Sequence, residues 1–229
     1  MARWNGKEGR DWLVAAAKGP AAVSPHALKA SALRYGLAPA TLIATRAGPV
    51  PLEWLRPGDD ILTRDNGYRP LLWIGQGRRP AGAGPQSTVV IEAGQFGPGQ
   101  PDQSLRLAPD HGVLVEGARF VAAHGSAEVL APAASLSRMG PTRPAGGLFH
   151  LVLAGHELML ANGIWVESLP AIAAFRLFPR RAVALCESLL ADITNPLRPR
   201  LRPEDLTRAA PAIAPAARVP YRPRRATGS

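Results

Sequence analysis

Pro51-Leu-Glu-Trp-Leu-Arg-Pro-Gly-Asp59 runs directly into Asp60-Ile-Leu-Thr63, then Asp65-Asn66-Gly67, then Tyr68–Gly75. Asn-Gly tolerates the positive φ of tight hairpin turns, so two short apolar runs on either side of it read as a β-hairpin. In its second strand Leu72 and Ile74 are expected on one side of the pleat, with Leu71 and Trp73 on the other. Working outward, Thr41-Leu-Ile-Ala-Thr45 is a strand closed by a turn at Arg46-Ala-Gly-Pro49. Gly77 to Pro85 is a Gly/Pro-rich loop. Ser87–Glu92, Leu105–Leu107, Gly112–Val115, Arg119–Ala122, Leu148–Ala154 and Glu157–Ala161 are read as further strands. Many short strands with turn chemistry between them predict a mainly β domain of barrel or sandwich type.

The flanks differ in kind. Residues 1–35 hold a short helix around Asp11–Lys18 and a second one opening at Ser24-Pro25, where a hydroxyl cap precedes proline at the first helical position. After Pro170, Ala182, Val183, Cys186, Leu189, Leu190 and Ile193 recur at helical spacing, which predicts one amphipathic helix over 180–193. Seven prolines between Pro196 and Pro223 read as an extended tail without a core. The expected organisation is an N-terminal basic arm (1–35), a β domain (36–170) and a helix plus Pro/Arg-rich tail (171–229).

Charge follows that division. The 229 residues carry 27 Lys+Arg and 17 Asp+Glu, a net +10. Residues 36–175 contain ten arginines and eleven acids, whereas residues 176–229 contain eleven arginines and four acids. Basicity thus belongs to the arms, which suit anionic partners without specificity. With 46% hydrophobic residues the chain can bury a core. One cysteine, Cys186, excludes an internal disulfide and a Cys-cluster metal site. On the apolar face of its helix it reads as a small core residue. No apolar run approaches the roughly 18–20 residues that span a bilayer. Trp12–Ala17 is too short for a signal-peptide core. The expectation is a cytoplasmic chain by default, or one exported by a route without such a signal.

Four ordered blocks carry a more specific resemblance. They are Pro39-x-Thr41-Leu-Ile-x-Thr with Pro51 through Gly67 and Leu72-Trp-Ile-Gly75; Leu107-x-Pro-x-His111-x-Val-Leu-Val115; Phe149-His150-Leu-x-Leu-x-x-His156-Glu157; and Gly163-x-x-x-Glu167-Ser168-Leu169. Together they resemble a Hint (Hedgehog/intein) domain, most closely the bacterial stand-alone branch. The resemblance implies a compact, horseshoe-like all-β domain, here with short helical arms at both ends. It also implies self-processing chemistry. A Cys or Ser at the domain's first position attacks the preceding carbonyl, and a histidine three residues after a Thr or Ser protonates the departing amide nitrogen.

Against that pattern the chain is depleted. The nucleophile position reads Gly36, and the hydroxyl position reads Ala108. His111 is kept, as the relic of an active centre. Asn162-Gly163 lacks the preceding His and following nucleophile that asparagine cyclisation needs, and Asn195-Pro196 lies in the tail. Asp110 would raise the His111 pKa, except that adjacent strand residues point to opposite faces. The five histidines (His26, His111, His124, His150, His156) show no zinc-protease spacing, and Gly94–Gly99 lacks the helix a phosphate loop requires. No metal or cofactor is expected. The tryptophans form no stacking row, so sequence-specific nucleic-acid reading is unsupported. The leading expectation is a degenerate Hint domain acting as a folding or interaction module with a protein partner. Two alternatives are residual autoproteolysis at Tyr35–Gly36, with water as nucleophile, and binding of anionic partners through residues 176–229. Gly36→Cys with Ala108→Thr discriminates between these readings, since restored cleavage would show an intact site architecture missing only its reactive groups.

Overall fold

In a computed structural model the described residues are 35–76, 87–142, 147–169, 198–201 and the pair Ala214–Pro215. The helices expected in 1–35 and 180–193, with His26, Cys186 and Asn195, lie outside them. Around Asn66 the hairpin forms as expected: β3 (Asp60–Thr63) pairs antiparallel with β4 (Gly67–Gln76), Thr63 opposite Gly67. The loop has three residues rather than two. The positive φ therefore falls on Gly67 (+64°) alone, the bulge residue of a three-residue hairpin. Asn66 is freed for another task, and its side-chain amide donates to both oxygens of the Glu157 carboxylate at 3.0 and 2.9 Å.

β1 (Leu42–Thr45) pairs with β2 (Gly48–Pro51), with β3 and with β10 (Leu158–Ala161). The stretch read only as a turn thus contributes a strand as well. Its two prolines are tolerated because β2 is an edge with β1 as its sole partner. β4 is ten residues long because it serves two partners. It leaves β3 after Pro70 and from Leu71 pairs with β9 (Phe149–Leu153), with a register shift between Leu71 and Trp73. That irregularity breaks the expected alternation. Leu71 is buried while Leu72, Trp73 and Ile74 are all half-buried.

β5 (Val89–Ile91) and β6 (Leu105–Leu107) form a separate pair. β7 (Gly112–Glu116) pairs with β8 (Glu128–Pro132), β11 (Ile164–Glu167) and β12 (Ala214–Pro215). Arg119–Ala122, expected as a strand, is instead helix α1 (Arg119–His124), and α2 (Ala133–Leu136) follows β8. Four residues of alternation also fit one helical turn. Here Gly125 decides it: at φ +69° it closes the helix, its N–H donating to the Val121 carbonyl at 2.9 Å. Only Phe120 of α1 reaches the core.

The main core takes Ile43, Ile61, Leu71, Leu107, Val113, Val115, Leu151, Leu153, Met159, Ile164 and Val166 from successive strands. β11 is buried on both faces, because Trp165 packs with Leu114, Leu130 and Leu158 on the other side. The tail is not wholly without a core: Leu201 is buried in the main one, worth about 1.5–3 kcal/mol for such a side chain. Pro199 accepts from the Leu130 N–H at 2.8 Å and Leu201 donates back to the Leu130 carbonyl at 2.9 Å. Residues 199–201 thereby cover the free edge of β8 as a parallel bridge. Among the described residues no helix is long and apolar enough to cross a membrane.

Asn162-Gly163 proves to be the two-residue hairpin turn between β10 and β11, with φ +43° and +82°. The Asn162 side-chain oxygen accepts from Leu42 N–H at 2.7 Å, and its amide donates to the carbonyls of Ser104 (3.2 Å) and Gln103 (3.4 Å). Its role is structural. Asn162→Ala should cost about 2–4 kcal/mol, from the stranded partners and the left-handed backbone. Urea unfolding checks this, and a loss below about 1 kcal/mol would refute it.

Candidate functional site

The chain enters the domain as a thread between two strands. Leu37 exchanges hydrogen bonds with Phe149 (3.0 and 2.8 Å), and Ala38 donates to the Arg106 carbonyl at 2.9 Å. Just before them, both peptide groups of Gly36 are held. Its carbonyl accepts from Ala108 N–H at 2.9 Å, and its N–H donates to His111 Nδ1 at 3.1 Å. The fold therefore brings together the three residues that the resemblance singles out, although 75 residues separate Gly36 from His111.

Gly36 is fitted to its place as a glycine. Its φ is +121°, and a Cβ there would lie 2.8 Å from Leu148 Cβ, 3.1 Å from the Phe149 carbonyl and 3.1 Å from His150 Cε1. Ala108 is fully buried and clusters with Ala38 and the same Leu148. Leu148 thus borders both Gly36 and Ala108.

His111 accepts at Nδ1, so its proton is on Nε2 and the ring is neutral. Nε2 is buried without a hydrogen-bond partner among the described residues. Burial pushes the imidazole down to about 4; the Glu167 carboxylate opposes this, while Arg200 and His156 add to it. His150, also buried, is pushed down to about 4 by burial and by its neighbour His111.

Glu167, the last residue of β11, is wholly buried and acts as a hub. Oε1 accepts from Gly112 N–H at 2.5 Å and from both terminal nitrogens of Arg200 at 2.9 and 2.8 Å, and Oε2 lies 3.0 Å from His156 Nε2. Burial alone would raise its pKa, but the His156 hydrogen bond and the Arg200 charge hold it below the ordinary carboxylate range. Tyr35, Gly36, Leu37, His111, His150, Met159 and Glu167 line one small cleft. Asp110 contributes its backbone, the carbonyl accepting from Arg200 at 2.7 Å. His124 ends α1 beside the Phe120 ring. The glycines of Gly94–Gly99 fold back on themselves, Gly94 and Phe96 donating to the carbonyls of Pro101 and Gln100. Among the described residues no three His, Cys, Asp or Glu side chains converge as metal ligands would. Sequence reasoning assigned no site role to Glu167, His150 or Arg200. The acid ending the apolar run Ile164-Trp-Val was the available signal, since a buried carboxylate demands partners.

The sequence model of the Hint domain matches residues 35–172. No curated protein matches. Among solved structures, the gp41-1 intein is 13% identical with a TM-score of 0.38, covering 58% of this chain and 98% of the intein. A bacterial intein-like domain from Clostridium thermocellum is 11% identical with a TM-score of 0.36, covering 58% and 98%. With the family model matched over more than half of the chain, the chain belongs to the Hint-domain family.

Proposed function

We propose that this Hint domain no longer cleaves itself and persists as a folded module between its two arms. The observation that carries the proposal is Leu148. Gly36 and Ala108 carry neither a thiol nor a hydroxyl, and Leu148, packed beside both, takes the room that a side chain at Gly36 would need. With no side-chain nucleophile, the Tyr35–Gly36 peptide has no internal route to an ester or thioester. The purified chain should therefore keep its intact mass for hours at neutral pH in thiol or hydroxylamine. Fragments ending at Tyr35 and beginning at Gly36 would sink the proposal.

A second reading, residual hydrolysis, has one observation in its favour: His111 Nδ1 still sits on the nitrogen that would leave. In that step water adds to the Tyr35 carbonyl, the C–N bond breaks and Gly36 nitrogen takes a proton. Loss of the internal nucleophile makes it orders of magnitude slower. At neutral pH His111 is unprotonated and accepts at Nδ1, so it has no proton to give there. Contact of residues 176–229 with anionic partners is a separate reading. Arg198 and Arg200 are already paired with Asp65, Glu128 and Glu167, so less charge is available for it than the sequence count implies.

A further inference from the structure

Arg200 lies beyond the part of the chain that matches the family, yet its guanidinium reaches three groups around the cleft. It forks onto Glu167 Oε1 and donates to the carbonyl of Asp110, the residue before His111. Its charge also lies 5.5 Å from the centre of the Tyr35 ring, within cation–π range. That ring in turn stands edge-on to the His111 imidazole, centroids 6.5 Å apart. Backbone pairing of 199–201 with Leu130 and burial of Leu201 fix where the side chain starts. Arg198 anchors the same segment on Glu128 (2.7 Å) and Asp65 (2.8 Å).

From this placement we propose that Arg200 is a positioning residue of the Hint site: delivered from beyond the family-matched region, it clamps Tyr35 and Glu167 together, holding the Tyr35–Gly36 peptide against His111. The inference rests on that peptide being the seat of the site, but not on whether it can break. A planar fork suits the task, because one guanidinium meets a carboxylate, a carbonyl and an aromatic face together. It also supplies the opposite charge that a buried carboxylate requires. The charged and titratable groups around His111 are Glu167 from β11, His156 from the loop before β10, His150 from β9 and Arg200 itself. Removing only the last leaves the Glu167 carboxylate to favour the imidazolium.

The experiment uses the full chain and two variants, with histidine titration and amide exchange followed by NMR. Arg200→Gln should raise the His111 midpoint by about one unit from its value near 4. It should also speed exchange of the Gly36 amide at least tenfold, while the intact mass stays unchanged. Arg200→Lys keeps the charge but lacks the fork. It should leave the midpoint near the wild-type value and still speed Gly36 exchange. If Arg200→Gln does not fold, the lysine variant decides by the exchange rate alone. Wild-type exchange at Gly36 in every variant that folds would overturn the clamp.

Discussion

Lowering the pH from 7 to 4.5 should cost the folded state several kcal/mol, before most carboxylates have titrated. The cause is the pair His111 and His150, each pushed from 6.5 down to about 4. Between those values the unfolded chain binds more protons than the folded one, so stability falls as pH falls. The loss begins below about 6.5 and is complete below about 4, at roughly 3 kcal/mol for each histidine at the limit. Glu167 acts in the same direction further down, since a carboxylate held below its ordinary range loses its contribution as it protonates. Urea unfolding at half-unit steps from pH 7.5 to 4.5 measures the slope. His150→Gln should flatten it by about half. A midpoint that does not move across this window would show that both imidazoles titrate normally.

The second large effect is expected at Gly36. Replacing it with Ala or Cys places a Cβ at φ +121° and 2.8 Å from Leu148 Cβ. Backbone strain of about 1–3 kcal/mol adds to overpacking of similar size, about 2–5 kcal/mol in total. Gly36→Cys with Ala108→Thr, the obvious restoration on sequence grounds, should therefore yield a weakened domain that still does not cleave. Leu148→Gly in the Gly36→Cys background should recover part of the loss, since it removes the Cβ that the new side chain meets. Denaturant unfolding of the singles and the double decides it. Gly36→Ala within about 0.5 kcal/mol of wild type would show that the seat is open after all.

What could be read in advance followed a clear physical line. The hairpin at Asn66, the strand β1 and the ordered histidine and Glu167 blocks were legible, because turn chemistry and apolar runs are local. α1 was not, because one helical turn and a four-residue alternation have the same pattern. Gly36 and Ala108 were visible as departures from the pattern that the resemblance implies. Their common neighbour Leu148 was not, being more than a hundred residues from Gly36 and apolar like many others. Arg200 was hidden for a related reason. Counted among eleven arginines of a Pro-rich tail, it looks like surface charge, and only its 33-residue separation closing onto Glu167 gives it a place in the site.

The docked segment 198–201 also bears on the order in which the molecule can assemble. Contacts that hold the entry thread and the site join residues 75, 120 and 133 positions apart. Such non-local closure is slow to nucleate. During synthesis the strands of the domain emerge well before Arg198 and Arg200. Until those residues leave the ribosome, Glu167 lacks its cation and the β8 edge its cover. Gly36 thus waits for Arg200, made long after it, to complete its surroundings.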